Sequence, residues 1–193
     1  MLGSIWGRCL WLTLLAACGR VQFDVVPIDG SSGEGTAAPD ARSPIVARLE
    51  AESGQITAPF QVAPDADAIG GSYLYDANTM GQTGPGDAVY AFTLPAAGSY
   101  WVWGRSRAIG QADDSMFLQI DGGADFNYFT VDCVYGNWRW VVLTTPHNCP
   151  GPGAHQELVL SAGPHTLRLH SREGGASVDA IAIVDDAAFV PTD

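Results

Sequence analysis

Between residues 158 and 184 the chain twice alternates apolar and polar side chains with a period of two. In residues 165–170, His165, Leu167 and Leu169 share one face of a strand and Thr166, Arg168 and His170 the other. In residues 178–184, Asp179 falls on the face of Ile181 and Ile183. Glu173-Gly174-Gly175 between the runs reads as a tight turn, so the pair predicts a β-hairpin. A carboxylate on an apolar face needs a partner, because burying an unpaired charge is costly. Asp179 is therefore the first pointer toward chemistry.

Similar runs occur upstream at 46–52, 88–94, 99–107, 116–120, 138–143 and 158–160. Turn clusters such as Gly84-Pro85-Gly86-Asp87 and Asp121-Gly122-Gly123 separate them, and no segment sustains a helical period. Ala97-Gly98-Ser99-Tyr100 and Ala162-Gly163-Pro164-His165 repeat one turn-to-strand solution. Many short strands with Gly and Pro punctuation predict an all-β domain, a β-sandwich or jelly roll, over residues 45–193. Roughly 150 residues suffice for one good core.

The N-terminal third departs from this pattern. Arg8 precedes a short apolar run, 9–17, which is too short to cross ~30 Å of hydrocarbon and reads as a signal peptide, residues 1–17. The run ends Leu15-Ala16-Ala17-Cys18, which resembles the lipobox of bacterial lipoproteins. That resemblance implies cleavage before Cys18, lipidation of its thiol, and an exported chain held in the cell envelope, at the outer membrane or cell surface. Residues 18–44, rich in Gly, Ser and Pro, read as a flexible tether.

Composition then narrows the partners. The formal net charge is −12, and all nine cations are arginines. Such a chain repels phosphate backbones, which argues against nucleic acid. Cys133 and Cys149 are the thiols left after processing, and export favours a disulfide between them. Closing about 17 residues contributes roughly 3 kcal/mol. Adding His147 and His155 gives no recognised zinc spacing.

Three groups of residues carry candidate chemistry. Glu50 and Glu52, two apart on a predicted strand, share a face and with Asp179 can supply oxygen ligands to calcium. The alternative is a wet edge strand with charges that guard against aggregation. Trp138 and Trp140 share a face and form either core anchors or a flat platform for the C–H faces of sugar rings. Tyr73, Tyr75, Tyr128 and Tyr135, in loop-like surroundings, extend that platform, whereas Trp101 and Trp103 read as structural. Arg172-Glu173 and Asp113-Asp114-Ser115 occupy predicted turns, for ligand contact or for stabilising the turns themselves.

Taken in order, several short pieces resemble carbohydrate-binding modules of the family-6 and family-35 type, which are calcium-containing, galactose-binding-like jelly rolls. The pieces are Glu50-Ala51-Glu52, Gly70-Gly71-Ser72-Tyr73, Ala97-Gly98-Ser99-Tyr100, Asp114-Ser115 with Asp121-Gly122, Trp138-Arg139-Trp140, Ala162-Gly163-Pro164-His165-Thr166-Leu167, Arg172-Glu173-Gly174-Gly175 and Val178-Asp179-Ala180-Ile181. They span residues 45–185. The resemblance implies a structural calcium on Glu50, Glu52 and Asp179. It departs at Ala176-Ser177, where family-6 members often place a sugar-binding Asn, and in the loop 125–135.

The expected function is therefore a lipid-anchored, non-catalytic protein that binds carbohydrate, with Trp138, Trp140, Tyr73, Tyr75, Arg172 and Glu173 as contact residues. Two other readings remain open. One is a structural or adhesive envelope protein that uses the same fold against a protein partner. The other is a glycosidase, which needs two carboxyl groups about 5–9.5 Å apart across a cleft. No recognisable catalytic motif supports the glycosidase.

Overall fold

The structure, a computed structural model, describes residues 42–129, 133–145 and 153–193. The signal peptide, Cys18, nearly all of the tether and Cys149 lie outside the described residues.

Twelve strands follow one another: β1 (Ile45–Glu50), β2 (Gln55–Thr57), β3 (Phe60–Pro64), β4 (Ser72–Asp76), β5 (Asp87–Leu94), β6 (Gly98–Arg107), β7 (Ser115–Ile120), β8 (Asp125–Phe129), β9 (Arg139–Val142), β10 (Leu158–Leu160), β11 (Gly163–Ser171) and β12 (Ser177–Val184). They form two antiparallel sheets. The larger has β10-β6-β12-β4-β3 in order, with β1 added on β12 and β9 on β6; the smaller runs β2-β5-β11-β7-β8. The chain is an all-β jelly-roll sandwich.

The expected hairpin at 165–184 does not form. β11 pairs with β5 and β7 in the small sheet, whereas β12 pairs with β1, β4 and β6 in the large one. The Gly pair serves a crossover between layers, not a turn within one. At Gly174 a Cβ would meet the carbonyl oxygens of Asn78 and Thr79 at 2.4 Å, so the crossover presses against the 78–80 backbone where only glycine fits. Gly175 lies at φ 102°. Alternation reveals that both strands are half-buried; it does not reveal whether they are partners or lie back to back.

Both faces of the large sheet are apolar, and this positions the site. Tyr100, Val102, Val178, Ile181 and Ile183 enter the main core with Leu74, Leu118, Leu167 and Leu169. Trp103, Val142, Ala182 and Val184 form a second cluster on the opposite face, with Trp101, Trp140 and Phe189 against it. Trp103 thus keeps a structural role, but outside the sandwich rather than between its sheets. A bulge between Val178 and Ala180 breaks the alternation of β12 and sets Asp179 out of phase with Ile181 and Ile183. Tyr128, expected in a loop, lies on β8 and is 2% exposed; its hydroxyl shares a 2.8 Å hydrogen bond with Ser106 Oγ.

The turn 120–123 closes β7 onto β8. Asp121 and Gly122 both have positive φ, 51° and 67°, and Gly123 N–H donates to the Ile120 carbonyl at 2.8 Å. Asp121 also binds His165, whose Nδ1 lies 2.6 Å from its Oδ2 while Nε2 lies 2.9 Å from the Ser161 carbonyl. Both ring nitrogens face acceptors, so only the imidazolium satisfies both. The Asp121 hydrogen bond accordingly raises the His165 pKa above its ordinary value of 6.5. The folded state then holds the proton more tightly than the unfolded chain. This contribution is fully present below about pH 6.5 and is lost as pH rises through the folded pKa. Melting temperature should decline over that window, and His165→Gln should flatten the decline; an equal slope in both proteins would remove His165 as its source.

Candidate functional site

The site lies on the outer face of the large sheet, beyond the Trp103 cluster. Residues 101, 103, 105 and 107 of β6 project alternately from that face, which continues two tryptophans into Arg105 and Arg107. β9 lies beside it, with Trp140 opposite Arg105 and Val142 opposite Trp103. Asp67, Arg105, Arg107, Gly136, Asn137 and Trp138 line a cleft of about 230 Å³.

Trp138 is fixed as the wall of this cleft. Its Nε1–H donates to Asp65 Oδ2 at 3.2 Å, and Arg107 Nη1 pairs with the same oxygen at 2.7 Å. The Arg107 guanidinium stands 4.5 Å from the Trp138 ring centroid and 5.2 Å from that of Tyr73. Tyr73 meets Trp138 edge-on with centroids 5.2 Å apart, and Tyr75 lies 6.0 Å beyond Tyr73. Asp67 N–H, Trp138 and Arg107 together hold the Asp65 carboxyl below the usual carboxylate range. Three predicted residues, Trp138, Tyr73 and Tyr75, are thus brought together, the two tyrosines from strand β4 and not from loops.

Trp140 is separated from them. It packs on the second apolar cluster under Arg48, 5.3 Å away, and donates from Nε1 to Asp193 at 3.2 Å. The predicted Trp pair therefore shares a face but divides its roles between cleft wall and packing. Arg172 and Glu173 also stand apart. They pair with each other at 2.6 Å and engage Ser115. At Ala176-Ser177, where the resemblance departs, Ala176 is buried and Ser177 donates its hydroxyl to Gly175 O at 3.1 Å.

Next to the cleft lies the carboxylate group expected to hold calcium. β1 pairs with β12, which sets Glu50 opposite Ala180 and beside Asp179. Glu52 is not on the strand. It sits in the 3-10 turn Ala51–Ser53, because β1 ends at Glu50. Asp179, fully buried, accepts from Arg105 Nη1 at 2.6 Å and from Ile69 N–H at 3.0 Å, both through Oδ2. Glu52 Oε1 accepts from Ser72 Oγ at 3.0 Å. Glu50 Oε2, Glu52 Oε2 and Asp179 Oδ1 are buried without any hydrogen bond. Burial, then the Glu52 charge, pushes the Glu50 carboxyl up; burial does the same to Asp179. Among the described residues no three His, Cys, Asp or Glu side chains are drawn into a finished cation cage. Three orphaned carboxylate oxygens are nevertheless the donor set that a hard cation takes, so the residues fit calcium.

The segment 65–72 joins the two sites. Asp65 holds Trp138 and Arg107, the Asp67 carbonyl accepts from Arg105 at 3.1 Å, Ile69 binds Asp179, and Ser72 binds Glu52. Sequence reasoning missed Asp65, Asp67, Arg105, Arg107 and Asn137. The alternation Trp101-x-Trp103-x-Arg105-x-Arg107 was a usable signal for the two arginines. Nothing local marked the others.

No family model and no curated protein matches the chain. Its fold is shared with solved structures. A family-35 carbohydrate-binding module from Clostridium thermocellum superposes with a TM-score of 0.51 at 17% identity, over 72% of this chain and 99% of that one. The C-terminal family-6 module of a marine laminarinase from Zobellia galactanivorans gives 0.51 at 20% identity, over 72% and 98%. An exo-β-1,3-galactanase from Phanerochaete chrysosporium gives 0.53 at 17% identity; 71% of this chain is matched, but it spans only 29% of that enzyme. The described sandwich therefore has the jelly-roll fold of family-6 and family-35 carbohydrate-binding modules.

Proposed function

We propose that this chain binds carbohydrate in the Trp138 cleft and performs no chemistry on it. The observation that carries this reading is the cleft itself: an indole wall beside two arginines held by ion pairs, with Asn137 and Asp67 completing the lining, on a sheet face. An aromatic ring stacks on the C–H face of a sugar while flanking polar groups bond its hydroxyls.

The carboxyl groups support binding over hydrolysis. Asp65 is held ionised by three donors, whereas a general acid must keep its proton. Asp114 and Glu173 share a hydrogen bond with each other, whereas glycoside cleavage needs two carboxyl groups about 5–9.5 Å apart with the sugar between them.

Calcium on Glu50, Glu52 and Asp179 belongs to the same reading. When bound it supplies positive charge that relieves their repulsion. The chain's own residues do the rest: Ile69 and Ser72 tie the ligands to segment 65–72, and Asp65 at its start orients Trp138. The Cys133–Cys149 disulfide, lipidation at Cys18 and residence in the cell envelope complete the proposal. Cys18→Ser should release the protein from the membrane fraction, and Cys133 should resist thiol reagents until reduced. Unchanged fractionation, or free labelling of the native protein, would count against each in turn.

A glycan array probed with the full chain in detergent, with and without chelator, tests the function. Retention of a family of related sugars, weakened by chelator, is the expected result. Silence on the array together with capture of one envelope protein would favour the adhesive alternative.

A further inference from the structure

Outside the cleft, the densest cluster of titratable groups lies where the β6–β7 connection meets the β11–β12 crossover. Glu173 is fully supplied with donors. Arg172 Nη1 binds its Oε1 at 2.6 Å, and Oε2 accepts from Ser115 Oγ at 2.6 Å and from Asp114 N–H at 3.2 Å. Nothing in that arrangement calls for a second carboxyl group. Yet Asp114, whose own N–H lies on Glu173 Oε2, also brings its carboxyl into hydrogen-bond contact with Glu173, with the residue only 7% exposed. Asp113, beside it, is committed elsewhere: its carboxylate accepts from Ile109 N–H and Gly110 N–H at 2.8–3.2 Å.

The far side of Asp114 faces the cleft loop. Tyr135 Oη donates to Asp114 Oδ2 at 3.2 Å. Tyr135 is followed directly by Gly136, Asn137 and Trp138, half of the cleft lining. Gly136, at φ 99°, is held by its N–H on the Ala108 carbonyl at 2.9 Å. The Gly136 backbone and the Tyr135 side chain both tie the loop down just before Trp138, and the Tyr135 hydroxyl ends on Asp114.

We infer that Asp114 is a positioning residue for the sugar cleft, a proton-dependent latch that Glu173 closes and that Tyr135 transmits to the loop bearing Trp138. With a proton on Asp114, the pair shares it: Asp114 donates to the Glu173 carboxylate and still accepts from Tyr135. Without that proton, two carboxylates face each other in a buried place, and the one with fewer donors gives way. That one is Asp114, because Arg172 and Ser115 hold Glu173. Tyr135 then follows its acceptor.

The electrostatics agree with this geometry. Burial first, then the hydrogen bond and charge of Glu173, raise the Asp114 carboxyl to about 6, against opposing effects of Tyr135 and Arg172. The remaining groups at the cluster are Tyr135, which burial and then Asp114 push up, and Asp113. A folded pKa raised from 3.8 means that the folded state binds the extra proton. The closed latch is complete below about pH 4 and is lost as pH rises through about 6.

The consequence for sugar affinity rests on the carbohydrate reading, but the latch itself is testable without sugar. The readout is the fluorescence contributed by Trp138 in the full chain, taken as the difference between the parent protein and Trp138→Phe, from pH 4.5 to 8. This difference removes the other tryptophans, including Trp103 beside His155. The expected result is one transition with a midpoint near 6. Asp114→Asn, which keeps a donor toward Glu173 at every pH, should abolish the transition and hold the acid-form signal. Glu173→Gln should move the midpoint down toward the ordinary carboxylate range, and it serves as a second test should Asp114→Asn misfold. A flat parent profile would overturn the latch. So would the same transition in Asp114→Asn or an unmoved midpoint in Glu173→Gln. Laminarin and β-1,3-galactan oligosaccharides, used as probes of affinity at pH 5 and 7.5, address the cleft separately. If neither is retained while the transition is present, the latch stands and the carbohydrate reading fails.

Discussion

Chelating calcium should lower the melting temperature of the full chain and loosen the cleft with it. Glu50, Glu52 and Asp179 are electrostatic neighbours where β1 ends against β12, each with a buried oxygen that no protein donor reaches. Arg105, bound to Oδ2 of Asp179, and Arg48, near Glu50, offset part of their repulsion, yet burial still holds the Glu50 and Asp179 carboxyls above their ordinary range. A cation that binds the folded state alone stabilises it by RT ln(1 + [L]/Kd), about 2.7 kcal/mol at a hundredfold excess over Kd. For a domain of this size that corresponds to several degrees. Asp179→Ala should abolish the response to chelator. It should also destabilise the protein on its own, because Arg105 loses its buried ion-pair partner and keeps the Asp193 carboxylate and the Asp67 carbonyl. Removing one member of a buried pair costs ~3–5 kcal/mol, with the surviving Asp193 contact placing this case toward the lower end. Identical melts with calcium and with chelator would exclude the cation.

Trp138→Ala and Trp103→Ala should have opposite consequences. Trp138 is half-buried at the rim of the sheet, held by one hydrogen bond and by ring contacts with Tyr73, Arg105 and Arg107. Its truncation leaves the Arg107–Asp65 pair intact, so the melting temperature should move little while carbohydrate binding is lost. Trp103 is 6% exposed in the second apolar cluster. Its truncation opens a cavity and should cost ~3–5 kcal/mol. Circular dichroism melts and glycan binding measured on both variants check the pair. Binding lost only with Trp103→Ala would make Trp138 a bystander.

The division between these tryptophans marks how far the sequence could be read. Period two placed Trp101 with Trp103 and Trp138 with Trp140, and the structure keeps each pair on one face. Periodicity could not say that the large sheet has apolar packing on both sides, because alternation is silent when each face has its own cluster. The strands at 88–94, 99–107 and 158–160 were legible from β-branched and aromatic runs bounded by Gly and Pro. Gln55–Thr57 and Ser72–Asp76 were not: the first is short and polar, and the second carries tyrosines that read equally well as loop residues. The crossover at Gly174-Gly175 was taken for a hairpin because both use left-handed glycine after an alternating strand. Only the Asn78 and Thr79 carbonyls pressing on Gly174 distinguish them, and those lie about a hundred residues away in sequence.

The carboxylates were legible for a different reason. An Asp among isoleucines, and two Glu at the end of the first predicted strand, stand out against apolar neighbours, wherever the chain turns. Asp65 and Asp67 do not stand out, since they lie among Pro, Ala and Asp in a segment with no period. Their importance arises from tertiary contacts to Arg105, Arg107 and Trp138, and from the 3-10 turn Ile69–Gly71 that carries the segment past Asp179. The acid pair at Asp114 and Glu173 arises in the same way, from a crossover that brings the end of β11 against the start of β7.

The most direct test of the central claim is a calorimetric titration of the full chain with an oligosaccharide retained on the glycan array, run beside Trp138→Ala. A saturable heat in the parent protein, its absence in a normally folded variant, and recovery of the sugar uncleaved are the predicted result. Equal binding by the variant, or shortened sugar in the cell after titration, would contradict it.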